Sequence, residues 1–378
     1  MINFCRITIF AIFIVIGHAV TAQVDQTWRY YYPDLKEDGE SKLYLRLENN
    51  NFVKNNEYFG NYIEGYTMMG YTIHPSLVYY ASPNFRIKAG LFAIQYSGMN
   101  NFKDLLPTFS FHAKLSEKLD FIIGGLRGDV HHKLIEPIFN PENQYTRPIE
   151  NGFQFLYNSK NMWFDAWVDW EQFIFLGDDK PEKFTAGISS EITFTNPDAF
   201  WRISIPAQMI ATHLGGQISD YPDAMQTIIN LATGVKLNHA MGDGFIRNIG
   251  LSAYFVSYHD ITAQAGWDFT VGSALYPVAE LEYKYGSLMA GYWKAHDYIS
   301  TKGSPLFQSS SNYKEGYYSE YRDLVTTKLS FTRTFIKQLK IGAMAEVYYD
   351  IPAKQLDYSY GINLVFTPNF FITKLKFD

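Results

Sequence analysis

Between Met162 and Gln172 the chain reads MWFDAWVDWEQ, with Asp165, Asp169 and Glu171 among tryptophans. On an extended strand, alternate side chains share a face. Trp163, Asp165, Trp167, Asp169 and Glu171 then form one ladder, backed by the apolar set Met162, Phe164, Ala166, Val168 and Trp170. Neighbours on one face sit roughly 7 Å apart, so the carboxylates form a connected negative strip. Such a strip attracts cations, or holds a sugar with the indoles stacking and the acids accepting hydrogen bonds. The bland alternative is cross-bracing by Arg86, Lys88, Lys114, Lys183 or Arg202.

Two other groups invite chemistry. His131, His132 and Glu136 are weak candidates for a metal site. They open a Pro-bearing loop with no visible helix and no third fixed ligand, so the expectation is no metal and no cofactor. Tyr221, Pro222 and Asp223 could begin a short helix on a long loop, because Pro suits the first helical position and Asp the first turn. That loop is a candidate constriction or a surface cap. For acyl transfer the nearest pieces are His112, His131, His132, His213, Ser110 and the acidic ladder. There is no Gly-x-Ser-x-Gly elbow, and the chain is expected not to be an enzyme.

The elements that must carry these residues alternate with a period of two. Phe184, Ala186, Ile188, Ile192 and Phe194 alternate with Lys183, Thr185, Ser189, Glu191 and Thr193. Leu43, Leu45 and Leu47 alternate with Lys42, Tyr44, Arg46 and Glu48, and Phe109 and Phe111 with Thr108, Ser110 and His112. Short turns recur at Ser82-Pro83-Asn84, Ser116-Glu117-Lys118, Asn196-Pro197-Asp198 and Thr367-Pro368-Asn369. Longer polar links fall at 98–106, 129–151, 212–230 and 300–320. Tight turns at one end and long loops at the other are the plan of a transmembrane barrel. Tyr79-Tyr80, Phe200-Trp201, Tyr348-Tyr349 and Phe370-Phe371 read as interfacial girdles. A count of 17 candidate segments is odd where single-chain barrels are even. We expect an all-β, antiparallel up-and-down barrel of about 16 strands, with 14 or 18 as the alternatives and the overcount in Tyr58–Ala81, broken at Gly70.

Composition agrees. The 378 residues hold 30 Phe, 29 Tyr and 7 Trp, only 19% charged residues, one cysteine and a net charge of −6. Ile7–Ile16 is an apolar run, and Val20-Thr21-Ala22 supplies small residues for cleavage. Residues 1–22 are read as a signal peptide, 23–40 as a short periplasmic segment and 41–378 as the barrel. Cleavage removes Cys5, leaving no thiol chemistry. The mild acidity offers no footprint for nucleic acid.

The export signal, the alternating aromatic-rich strands and the closing Phe377-Asp378 resemble Gram-negative outer-membrane β-barrels. Segments such as Gly65-Tyr66-Thr67 and Leu134-Ile135-Glu136-Pro137 are similar to porin-like barrels of Bacteroidetes. The resemblance implies the outer membrane as location, with its lipid and lipopolysaccharide, and small solutes or ions, as partners; an oligomer is possible. The reading is a porin or solute channel with Asp165, Trp167, Asp169 and Glu171 lining the lumen. A non-conducting structural or assembly barrel is the alternative, and a barrel hydrolase a lesser one.

Overall fold

A computed structural model describes residues 26–30, 32, 33, 35, 41–196, 198–216, 218, 220, 221, 225–262 and 269–375. The proposed signal peptide, Pro222, Asp223 and Phe377-Asp378 lie outside these residues.

The first half of the wall comprises β1 (Lys42–Glu57), β2 (Thr67–Ser82), β3 (Phe85–Tyr96), β4 (Asp104–Lys114), β5 (Leu119–Gly125), β6 (Asn151–Asn158), β7 (Met162–Gln172) and β8 (Glu182–Thr193). The second half comprises β9 (Trp201–Gly215), β10 (Gln226–Ala240), β11 (Ile246–Asp260), β12 (Val271–Tyr283), β13 (Gly286–His296), β14 (Tyr321–Ile336), β15 (Leu339–Asp350) and β16 (Gln355–Phe366), extended by β17 (Asn369–Lys374). Each strand pairs antiparallel with the next, and β1 closes the ring against β16 and β17. The register is continuous across that seam: Asn49 faces Phe366 and Arg46 faces Asn369. The two last segments are therefore one stave, and the barrel has 16. Pro368 lacks a donor N–H, which interrupts the ladder, but its carbonyl still accepts from Leu47 at 3.1 Å.

This relocates the overcount. Thr367-Pro368-Asn369 is not a turn, whereas β2 runs unbroken through Gly70, which pairs with both Phe52 and Tyr96. The end asymmetry is present, with Pro83-Asn84 and Lys284-Tyr285 as short turns and 126–150 and 297–320 as the longest loops. The link read at 212–230 is shorter, because β9 continues to Gly215 and β10 begins at Gln226.

Leu251, Val235, Leu275, Leu329 and Ile362 point outward and are exposed, as a lipid-facing belt requires. Exposed rings band both rims: Phe200, Trp201, Phe335, Phe370 and Phe371 at the short-turn end, Trp170, Tyr292, Tyr321 and Tyr349 at the other. Tyr80 and Tyr348 are not part of these girdles. Each is buried, because adjacent strand residues face opposite ways and the lumenal side takes one ring of each Tyr pair.

The lumen is filled by chain. Loop 126–150 is tied to strands on opposite sides of the wall. His132 reaches Asp165 on β7, Ile135 N–H donates to Gln208 on β9, and Glu136 accepts from Tyr348 on β15. Lys54 on β1 pairs with Glu142 at 2.8 Å, and Asn363 on β16 donates to Tyr145 at 3.1 Å. Loop 297–320 docks beside it, with Asn140 N–H donating to Lys302 O and Tyr298 OH to Pro137 O. The described part of the N-terminal segment, read as periplasmic, also packs on inward-facing groups. The Trp28 indole occupies the space a side chain would need at Gly342. Arg29 donates to Tyr145 Oη at 2.6 Å, and Arg86 to Pro33 O at 3.0 Å.

Candidate functional site

Three inward positions on β1, β2 and β4 form a hydroxyl–imidazole–carboxylate relay. Thr108 Oγ1 lies 2.8 Å from His74 Nε2, and His74 Nδ1 lies 3.2 Å from Glu48 Oε2. The register explains the convergence. Glu48 faces His74 directly across the β1–β2 ladder. Thr108 faces Gly90 on β3, and Gly90 faces Ser76, two residues along from His74. With no side chain at Gly90, the imidazole spans the intervening strand to reach Thr108. Lys88 pairs with the same oxygen of Glu48.

A carboxylate at Nδ1 fixes the tautomer that leaves Nε2 as the acceptor for the hydroxyl proton. The neighbours lack that arrangement. Ser110 Oγ donates to Gly125 O at 2.8 Å. His112 Nδ1 accepts from Arg86 and its Nε2 faces Asp120 at 3.2 Å, so neither nitrogen is open to a hydroxyl. His213 meets Thr227 at 2.9 Å but has no carboxylate behind it among the described residues. The His74 and Glu48 side chains are 12% and 16% exposed, enough to be reached from a cavity. That cavity, about 80 Å³, also touches Thr108, Arg127, Glu150 and the N-terminal residues Arg29, Tyr30 and Tyr32.

The residues singled out from the sequence lie elsewhere. Asp165, Trp167, Asp169 and Glu171 do face inward, and every acid is partnered. Asp165 accepts from His132 Nδ1 at 2.8 Å and from Gln154 at 2.9 Å. Asp169 pairs with Arg147 at 3.0 Å, and Glu171 with Arg147, Lys183 and Lys302. Trp167 stacks on His132 with centroids 3.5 Å apart, over a position that must be Gly187, where any side chain would overlap the indole.

His131, His132 and Glu136 do not converge. His132 sits in a 3-10 turn, Asp129–His132, between Asp165 and Glu150. Burial alone would lower its pKa; Glu150 and Asp165 outweigh that and hold it up at about 10. His131 is depressed by burial and by nearby Arg127 and His132, and lies edge-on to Tyr30 and Tyr32. Glu136 turns the other way, to Lys328 and Tyr348. Among the described residues no three His, Cys, Asp or Glu side chains are grouped to hold a metal ion. Tyr221 is described, but its neighbours Pro222 and Asp223 are not, so the constriction loop has no structural account here.

Sequence reasoning placed Glu48 and Thr108 on polar strand faces but did not connect them. His74 fell in the segment taken as broken. The available signal was its alternation with Ile73 and Pro75; which residue it meets is a matter of register.

Solved structures share the architecture. OmpT with loop L8 deleted, from Vibrio cholerae, superposes with a TM-score of 0.50 at 13% identity, covering 86% of this chain and 98% of that one. OprD of Pseudomonas aeruginosa gives 0.50 at 11%, covering 90% and 99%. OccK2 of the same organism, in complex with glucuronate, gives 0.51 at 6%, covering 89% and 100%. At such identities the likeness shows the fold alone, a closed outer-membrane barrel. No curated protein matches. A family model described as lipid A 3'-O-deacylase-type matches residues 35–375. Its description is that of an enzyme family, which overturns the expectation that the chain is not an enzyme. With almost its whole length matched, the chain belongs to the lipid A 3'-O-deacylase-type family.

Proposed function

We propose that this barrel is an outer-membrane acyl-ester hydrolase with Thr108 as nucleophile, His74 as general base and Glu48 as the group that orients and charges-balances the imidazole. The observation that carries the reading is the relay itself, 2.8 Å and 3.2 Å long, beside a cavity. Thr108 Oγ adds to the ester carbon while His74 Nε2 takes its proton. The C–O bond then breaks, and His74 returns the proton to the departing alkoxide. Water, deprotonated by the same imidazole, adds to the acyl carbon; the bond to Thr108 Oγ breaks, the imidazolium returns the proton to that oxygen, and the acid is freed. Family membership favours a lipid ester as substrate.

The test is turnover of 4-nitrophenyl acyl esters and of lipid A by refolded protein, with release of fatty acid read by mass spectrometry. Thr108→Val and His74→Gln should each lower the rate by about 100-fold or more, with the barrel still folded. Full activity in Thr108→Val would remove the assignment.

Passive solute diffusion is a second reading, favoured by the barrel shape common to OprD and OccK2. Under it the paired acids of β7 would brace the wall more than select ions. Loops 126–150 and 297–320 across the lumen weigh against a wide path.

A further inference from the structure

The cavity beside Thr108 is lined by five cationic side chains from different elements: Arg29 from the N-terminal segment, Arg46 on β1, Arg86 and Lys88 on β3, and Arg127 after β5. Only two described carboxylates line it, Glu48 and Glu150. Both are committed elsewhere. Glu48 holds Lys88 and His74. Glu150 accepts from His132 through one oxygen and from Asp129 N–H through the other.

Among the described residues, Arg29, Arg86 and Arg127 have no carboxylate within ion-pair distance. Their contacts are neutral: Arg29 with Gln144 and Tyr145, Arg86 with His112 and Pro33 O, Arg127 over the Tyr32 ring. Arg29 is 4% exposed, and its buried Nε has no hydrogen-bond partner. Burying guanidinium groups without counter-charge is costly. An enclosure that gathers several of them is matched to a ligand that brings the negative charge, and the guanidinium fork suits a phosphate or carboxylate oxygen pair.

We propose that this cavity is an oxyanion-binding site that takes a phosphate-type group, and that it selects phosphorylated esters for Thr108. The selection half rests on the hydrolase reading; the binding half does not. The group could arrive as free phosphate or on a lipid headgroup.

The experiment uses the refolded full chain in a zwitterionic detergent. Inorganic phosphate is titrated by calorimetry into wild type, Arg127→Gln and Arg127→Lys. Hydrolysis is followed in parallel on a 4-nitrophenyl acyl ester and on 1-acyl-glycerol 3-phosphate. Arg127 is the test position because its described side-chain contact is a ring face and its loss leaves no broken hydrogen bond. Heat-modifiable migration in gels confirms that each variant is folded. Phosphate should bind wild type, at least 10-fold more weakly in Arg127→Gln, and near wild-type strength in Arg127→Lys. Binding should weaken with added salt. Arg127→Gln should raise KM for the phosphorylated ester by a larger factor than KM for the 4-nitrophenyl ester. Phosphate binding with no hydrolysis of either ester keeps the anion site and removes the hydrolase. Hydrolysis with neither phosphate binding nor a KM effect in Arg127→Gln, or equal phosphate affinity in wild type and Arg127→Gln, overturns the anion site. A KM effect without free-phosphate binding assigns the site to the lipid headgroup alone.

Discussion

His132 shows how one residue can couple a loop to the wall. It is fully buried, stacked on Trp167, with a carboxylate on each nitrogen. A charged imidazole suits that position only while Asp165 and Glu150 are both ionised. Replacing Asp165 by Asn leaves the charge half-compensated, and breaking a buried pair of this kind costs about 3–5 kcal/mol. The urea midpoint of refolded protein should fall accordingly. The pH dependence has a definite sign. The folded pKa of about 10 lies above the ordinary histidine value, so the folded state holds the proton more tightly than the unfolded chain. His132 therefore contributes its full stability below about pH 6.5. The contribution shrinks as pH rises and is gone once pH passes about 10. Urea midpoints at several pH values between 7 and 10.5 should decline in wild type and decline less in His132→Gln. Parallel curves would show that His132 is not charged in the folded barrel.

At the scale of the strand, the two faces differ in what they tolerate. Leu251 on β11 is outward and 56% exposed, while Ser252 beside it points inward. Arginine at 251 should cost about 2–4 kcal/mol if that side chain lies near the bilayer midplane, and arginine at 252 much less. Folding titrations into lipid vesicles check the order; a reversed order would turn the strand inside out. This facing was legible beforehand, because alternation is a property of one strand read alone. Glu48, Thr108 and the β7 ladder were all placed on polar faces from sequence. Register is not local, and the relay depends on it: Glu48 meets His74 only through the β1–β2 ladder, and Thr108 only across Gly90. Pro368 misled for the opposite reason. Its local chemistry says turn, yet β1 on one side keeps the chain extended. Nor does a loop's composition say whether it folds outward or into the lumen, which is why the cationic partners of Asp165, Asp169 and Glu171 were sought on neighbouring strands and, apart from Lys183, found on loops.

For the molecule as a whole, the decisive question is what a sixteen-stranded lumen does when chain fills it. A barrel of this size can hold an aqueous channel. Here loop 126–150 is tied to β1, β7, β9, β15 and β16, and to loop 297–320. The ties include buried charge: Lys328 joins Glu136 to Glu346, and Lys54 joins Glu346 to Glu142. Such a network is expensive to open, since separating any member leaves an unpaired charge in a low-dielectric site. The loop should therefore stay in place on the timescale of ion passage, and wild-type protein in planar bilayers should show little or no steady current. Replacing residues 129–146 by a short Gly-Ser link removes His132, Glu136 and Glu142 together and leaves the strands intact. That variant should still migrate as a folded barrel in unheated gels and should conduct in large, steady steps. If wild type already carries a current of that size, the loop does not close the lumen and solute diffusion becomes the stronger reading. If neither conducts, the N-terminal segment at Trp28 and Arg29 is the remaining seal, and its removal in the same background should open the path.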